Sequence, residues 1–114
     1  MNTLESQNVG ELSIELARKK RLGQFFTGIK LARLLAAISD ARDAQSILDP
    51  MGGNGDMLAA CLEVGDQVKT CVSIEVDPVA VTAARQRLRN SESVQPLLLQ
   101  GNSFDPATIE RLPR

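Results

Sequence analysis

Asp49-Pro50-Met51-Gly52-Gly53-Asn54-Gly55-Asp56 decides how this 114-residue chain is read. It follows the short apolar run Ser46-Ile47-Leu48 and precedes a segment with Leu58, Cys61 and Leu62 at helical spacing, closed near Gly65. Strand, glycine loop and helix thus follow one another within about twenty residues. Downstream, Val68 to Val76 is rich in Val, Ile and Thr and predicts a second strand, ending in Glu75-Val76-Asp77-Pro78. Pro78 suits a first helical turn, and the helix it opens runs to about Arg89, with Val81, Ala84 and Leu88 inward and Arg85, Arg87 and Arg89 outward. Leu97-Leu98-Leu99 is a third strand, followed by Gly101-Asn102-Ser103-Phe104-Asp105-Pro106. The order β-α-β-α-β predicts a parallel, doubly wound sheet with right-handed crossovers and a ligand outside the carboxyl ends of its strands.

Upstream, Leu4 to Arg21 carries Val9, Leu12 and Leu16 at helical spacing, which predicts an amphipathic arm over residues 1–22. Gly23-Gln24-Phe25-Phe26-Thr27-Gly28 then places two of the chain's three phenylalanines between glycines. Thr27 is positioned to cap a second, mostly buried helix from Ile29 to Ile38.

Composition removes several functions. The chain has no histidine, so the Ser/His and Cys/His hydrolases lack their usual base, and a zinc site lacks ligands. Two cysteines, Cys61 and Cys71, in no CxxC pattern, fit a reduced interior and small core residues. The net charge of -1 gives no global attraction for nucleic acid, and no stretch is long and apolar enough to be a signal or a membrane span. These features lead to an expected cytoplasmic location.

Three turns therefore stand at one predicted rim. The glycines of the first let backbone approach a ligand closely. Glu75, 22 residues beyond Gly53, can accept hydrogen bonds from both hydroxyls of a ribose. Asn102 can donate and accept, with Phe104 nearby to cover an aromatic base. A dinucleotide fingerprint would need a small residue where Leu58 stands, and Asp49 and Asp56 flanking the glycines would repel a pyrophosphate. A carboxylate does pair with an ammonium, so the favoured ligand carries adenosine at one end and a zwitterionic amino acid at the other.

The run Asp49 to Asp56 resembles the D-P-x-x-G-x-G-D signature of S-adenosylmethionine-dependent, adenine-specific DNA methyltransferases of the N-6 DNA methylase family. Gly23-Gln24-Phe25-Phe26-Thr27 is similar to the family's G-x-F/Y-F/Y-T-P element, Ile74 to Pro78 to its ribose-binding turn, and Gly101-Asn102-Ser103-Phe104 to its G-D-x-hydrophobic turn. The resemblance spans residues 23 to 105. It implies a Rossmann-like class I methyltransferase fold, truncated to about three parallel strands after an N-terminal helical arm, with residues 23–114 forming a partial cofactor domain. It also implies site roles: Phe25, Phe26 and Thr27 at the methionine end, Asp49 on the amino group beside Pro50, Gly53 and Gly55 around the cofactor, Glu75 and Val76 at the ribose, and Asn102 and Phe104 at the adenine. Two positions depart from the pattern, Gly28 for proline and Asn102 for aspartate, and both predict weaker binding of the same cofactor. The family's catalytic N/D-P-P-Y/F turn occurs nowhere in the sequence, so the 114 residues are expected to bind S-adenosylmethionine without catalysing transfer by themselves. The parent enzyme would act on DNA within a restriction-modification system, with a restriction or specificity subunit as its partner.

Other readings of the same residues stay open. The parent could be a methyltransferase acting on RNA, protein or a small molecule, or the chain could be a non-catalytic nucleotide-binding module that self-associates through an open sheet edge. Glu75 and Asp77 could be solvated strand-end carboxylates, and Asn102 ordinary turn chemistry. Arg18-Lys19-Lys20-Arg21 suits a helix terminus better than phosphate contact, and Arg85, Arg87 and Arg89 suit a solvated face.

Overall fold

The alternation of short apolar runs with helical segments builds a three-stranded parallel sheet in the order β1-β2-β3. The structure, a computed structural model, describes residues 11, 13–14, 27–91 and 94–114. Along the chain come α1 (Ile29–Ile38), a 3-10 turn (Asp40–Arg42), β1 (Ser46–Asp49), α2 (Asp56–Val64), β2 (Thr70–Glu75), α3 (Pro78–Leu88), β3 (Leu97–Gln100) and α4 (Pro106–Ile109). Glu11, Ser13 and Ile14 are helical and exposed. The rest of the expected arm, its basic cluster at 18–21, and the site residues Phe25 and Phe26 lie outside the described residues.

Register pairs Ser46 with Thr70 and Asp49 with Ser73, then Val72 with Leu97 and Glu75 with Gln100. β2 is central, and Cys71, Val72, Ser73 and Ile74 are all buried, as expected of a parallel strand covered on both faces. On one face Cys71 packs with Leu58 of α2 and Leu88 of α3, and Ile47 and Leu98 join from the flanking strands. On the other, Val72, Ile74 and Leu99 pack together with Leu112. Leu58 and Leu88 share one cluster, so both crossover helices cover the same face. The doubly wound arrangement is not reached among the described residues, because the strand order never reverses between β1 and β3.

The expectation of a mostly buried α1 does not hold. Only Ala32 and Ala36 are buried, against Ala60 of α2, whereas Leu31, Leu34, Leu35 and Ile38 are exposed. Small residues let α1 lie close on α2, and the bulky ones turn away from it. Thr27 does not cap this helix either. Gly28 is its N-cap, at φ 80, with no side-chain capping bond.

The Asp-Pro pairs share one local device. Asp77 Oδ1 accepts from Val79 N–H, and Asp105 Oδ1 from Ala107 N–H, both at 3.0 Å, each capping a helix with proline in its first turn. Asp49 Oδ1 likewise accepts from Met51 N–H at 3.1 Å, closing a turn without starting a helix. The sequence reading missed α4, although Asp105-Pro106 carries the signal already recognised at Asp77-Pro78. Replacing Asp77, buried at 4% exposure, with alanine removes the cap and is expected to cost about 1–2 kcal/mol, read as a lower denaturant midpoint.

Candidate functional site

The three strand-end turns meet because hydrogen bonds tie each to the next. Gly52 N–H donates to Ile74 O at 2.8 Å, seating the glycine loop on β2. Gly53 N–H donates to Glu75 Oε1 at 3.0 Å, and Asp77 N–H to Glu75 Oε2 at 2.6 Å. Gly101 N–H donates to Glu75 O at 3.0 Å, and Ser103 Oγ donates to Pro50 O. Glu75 is the hub: its backbone holds the third turn, and its side chain joins the first to the second. Each carboxylate oxygen keeps a second lone pair for a further donor.

The glycines are required where the loop bends. Gly53 has φ 55 and Gly55 φ 90, in the left-handed region, and a Cβ on Gly55 would press on Ala84 and Leu88 of α3. Gly52 is constrained differently, since a Cβ there would lie 1.7 Å from Ser73 Oγ. Its role was not foreseen, because the signal is a close approach to β2 that only the fold creates.

The other predicted site residues fall as follows. Thr27 is exposed ahead of α1. Asp49 is half-buried, and its Oδ1 accepts from Met51 N–H. Asn102 is exposed, and its Oδ1 accepts from Phe104 N–H at 2.9 Å, so the turn reading holds in the local geometry while the amide NH₂ points to no described partner within the turn. Phe104 is 83% exposed, Val76 and Met51 expose apolar surface on the other two strand-end turns, and Val79 does so in the first turn of α3. Met51 and Val79 were not singled out from sequence. Asp77 is buried as a helix cap rather than solvated.

Asp56 corrects the electrostatic argument. It is 6% exposed, pairs with the Arg87 guanidinium, and accepts from Gly28 N–H at 3.0 Å. Its charge is balanced, so the acidic character of the rim comes from Asp49 and Glu75. Arg87 is exposed, as expected, and its guanidinium also reaches Asp56. At Gly28, φ 80 is a conformation that proline cannot adopt, and the N–H is in use. Arg33 and Glu63 form an exposed pair between α1 and α2 at 3.1 Å; their mutual hydrogen bond raises the arginine pKa and lowers that of the glutamate.

Among the described residues no cluster of three or more His, Cys, Asp or Glu could hold a metal. Cys61 and Cys71 are free thiols. Burial, reinforced by Cys61 and Asp49, pushes the Cys71 thiol up to about 11, and burial likewise raises Cys61, so neither has thiolate character near neutrality.

Residues 14–86, more than half of the chain, match the family described as N-6 DNA Methylase. The chain belongs to the N-6 DNA methylase family. Solved methyltransferase structures share its fold. One, from Vibrio vulnificus YJ016, is described as a modification subunit of a type I restriction enzyme; the match has TM-score 0.58 and 20% identity and covers 90% of this chain and 25% of that one. A methyltransferase from Geobacter sulfurreducens matches with TM-score 0.57 and 17% identity over 90% of this chain and 59% of that one. The plantazolicin methyltransferase BamL, solved with S-adenosylhomocysteine, matches with TM-score 0.55 and 13% identity over 92% of this chain and 37% of that one. The N-6 DNA methylase chain thus spans a quarter to three fifths of the length of these structures. No curated protein matches it. The expected class I methyltransferase fold is therefore present as three parallel strands, and among the described residues no helix is long and apolar enough to cross a membrane.

Proposed function

We propose that this N-6 DNA methylase chain is the S-adenosylmethionine-binding part of an adenine-N6 DNA methyltransferase from a restriction-modification system, acting in the cytoplasm. The observation that carries the reading is the joining of three strand-end turns at Glu75. It leaves free carboxylate lone pairs, left-handed glycines and exposed apolar side chains on a single rim, a combination suited to a ribose, a close-lying chain and a flat base.

The residues fit such a ligand. Glu75 accepts from the ribose hydroxyls beside Val76, with the loop amides keeping its carboxylate fixed. Asp49 Oδ2 pairs with the ammonium group, Pro50 shapes the turn above it, and Gly53 and Gly55 permit close backbone approach. Phe104 covers the base, with Asn102 offering its amide to the base edge. Phe25, Phe26 and Thr27 close the methionine end. When bound, the cofactor supplies an electrophilic methyl on a sulfonium. The chain's own residues bind and orient it; the polar group that receives the target amine is not assigned to any of them, since no N/D-P-P-Y/F turn occurs in the sequence. DNA is the proposed substrate of the whole enzyme, and a restriction or specificity subunit its proposed partner.

Calorimetric titration with S-adenosylhomocysteine tests the site. The wild-type chain is expected to bind and to give no heat with NAD. Gly53→Val forces a β-branched residue to φ 55, a cost of about 1–2 kcal/mol, and should weaken affinity by about tenfold. Absence of binding by the wild type, or unchanged affinity in the folded variant, would remove the assignment.

A further inference from the structure

Asp56 touches none of the ligand groups assigned above, yet it joins three separated parts of the chain. Its Oδ2 accepts from Gly28 N–H at 3.0 Å, and its Oδ1 pairs with Arg87 on α3. A carboxylate at 6% exposure needs a partner. Arg87 supplies the opposite charge, and the bond to Gly28 is a second, directional contact. It reaches from the first residue of α2 to the residue immediately after Thr27.

Among the described residues, a Cβ built at Gly28 would meet nothing within 4 Å, and at φ +80 a glycine has many other conformations open to it. Further along, α1 is held on α2 by Ala32 and Ala36 against Ala60. The entry to α1 is held by the Asp56 bond. Asp56 directly follows Gly55, so this bond fixes Thr27-Gly28 against the start of the same helix that ends the glycine loop. The negative carboxylate also faces the N-terminus of α1, where the helix dipole favours it.

We infer that Asp56 is a positioning residue for the cofactor: steadied by Arg87, it clasps the Gly28 amide and sets the Thr27 segment beside the glycine loop in the arrangement that receives the ligand. The inference rests on the S-adenosylmethionine reading of the rim. It differs from a structural ion pair in one respect: the geometry at Gly28, and not the charge balance at Arg87, is what ligand affinity should follow.

The test combines titration of S-adenosylhomocysteine with amide exchange on the full 114-residue chain. Asp56→Ala removes the acceptor and should lower affinity by about tenfold or more, within the usual range of coupling between sites. Asp56→Asn keeps an oxygen for Gly28 N–H while giving up the ion pair, and should stay within about threefold of wild type, because partly exposed Arg87 can turn to water. Equal affinity in Asp56→Ala and wild type, with only a lower melting temperature, overturns the inference. So does equal weakening in Asp56→Ala and Asp56→Asn. Failure of the wild type itself to bind is the distinct signature that the cofactor reading is wrong, and the inference falls with it. Should Asp56→Ala not fold, the wild type still decides. Linkage requires the ligand to slow Gly28 amide exchange more than that of Ser39 N–H, which bonds Leu35 O at the far end of α1. Equal slowing at both amides overturns the proposal.

Discussion

Glu75→Ala should reduce affinity for S-adenosylhomocysteine by about a hundredfold or more, the loss expected when two charge-assisted hydrogen bonds worth about 1.5–3 kcal/mol each disappear together. The substitution acts twice. It takes away the proposed acceptor for the ribose hydroxyls, and it leaves Gly53 N–H and Asp77 N–H without the carboxylate they share. Water can reach this half-buried position, so the stability cost should stay at about 1–3 kcal/mol and the chain should still fold. The backbone bond from Gly101 N–H to Glu75 O survives, and the third turn should keep its place. Glu75→Gln separates the two effects. One amide oxygen can still hold Gly53 N–H, whereas the NH₂ cannot accept from Asp77 N–H or from a hydroxyl. An intermediate affinity is expected, with a stability between those of wild type and Glu75→Ala. Calorimetry and denaturant unfolding on the same samples read both quantities, and affinity within threefold of wild type in Glu75→Ala would remove Glu75 from the site.

Gly52→Ala should destabilise the fold. The added carbon would lie 1.7 Å from Ser73 Oγ and 3.1 Å from Ser73 Cβ, and Ser73 is 4% exposed on the central strand. Either Ser73 Oγ turns to another rotamer inside the packed core, or the loop lifts and strains the 2.8 Å bond from Gly52 N–H to Ile74 O. Overpacking of this kind costs about 1–3 kcal/mol, and loss of the hydrogen bond where the loop lifts adds about 1 kcal/mol. For a domain of this size that lowers the melting temperature by roughly 10 °C or more. Removing the obstructing side chain should reverse much of the effect: Gly52→Ala with Ser73→Gly is expected to melt above Gly52→Ala alone, a coupling that only neighbours show. Purely additive losses would mean that the close approach between loop and strand is not what Gly52 serves.

Much of the fold was readable because its signals are local. Asp77-Pro78 marks a helix start by itself, and the observed helix runs from Pro78 to Leu88, one residue short of the expected end. Glycines after an apolar run mark a strand-end loop, and β1 and α2 fall where that predicts. The failures required knowledge of partners. Leu31, Leu34, Leu35 and Ile38 read as core because they are apolar, but burial depends on what lies opposite, and α1 meets α2 through alanines. Thr27 reads as a cap by residue type, yet the amide next to it bonds a carboxylate 28 residues away. Arg87 reads as outward-facing and is exposed, but its pairing with Asp56 depends on the tertiary fold that brings α2 within reach. At the rim, residue type identified Glu75 but gave no sign that its carboxylate already bridges two turns.

The strand pairings also bear on how the chain comes together. Ser46 pairs with Thr70 and Val72 with Leu97, so every ladder joins residues separated by an intervening helix. Among the described residues no hairpin is present to nucleate the sheet cheaply. The entropy of closing each crossover must be met before any interstrand bond forms, which places helix formation early and sheet assembly late on the folding path. The rim turns, which need all three strands aligned before Glu75 can bridge them, would be the last part of the molecule to acquire its shape.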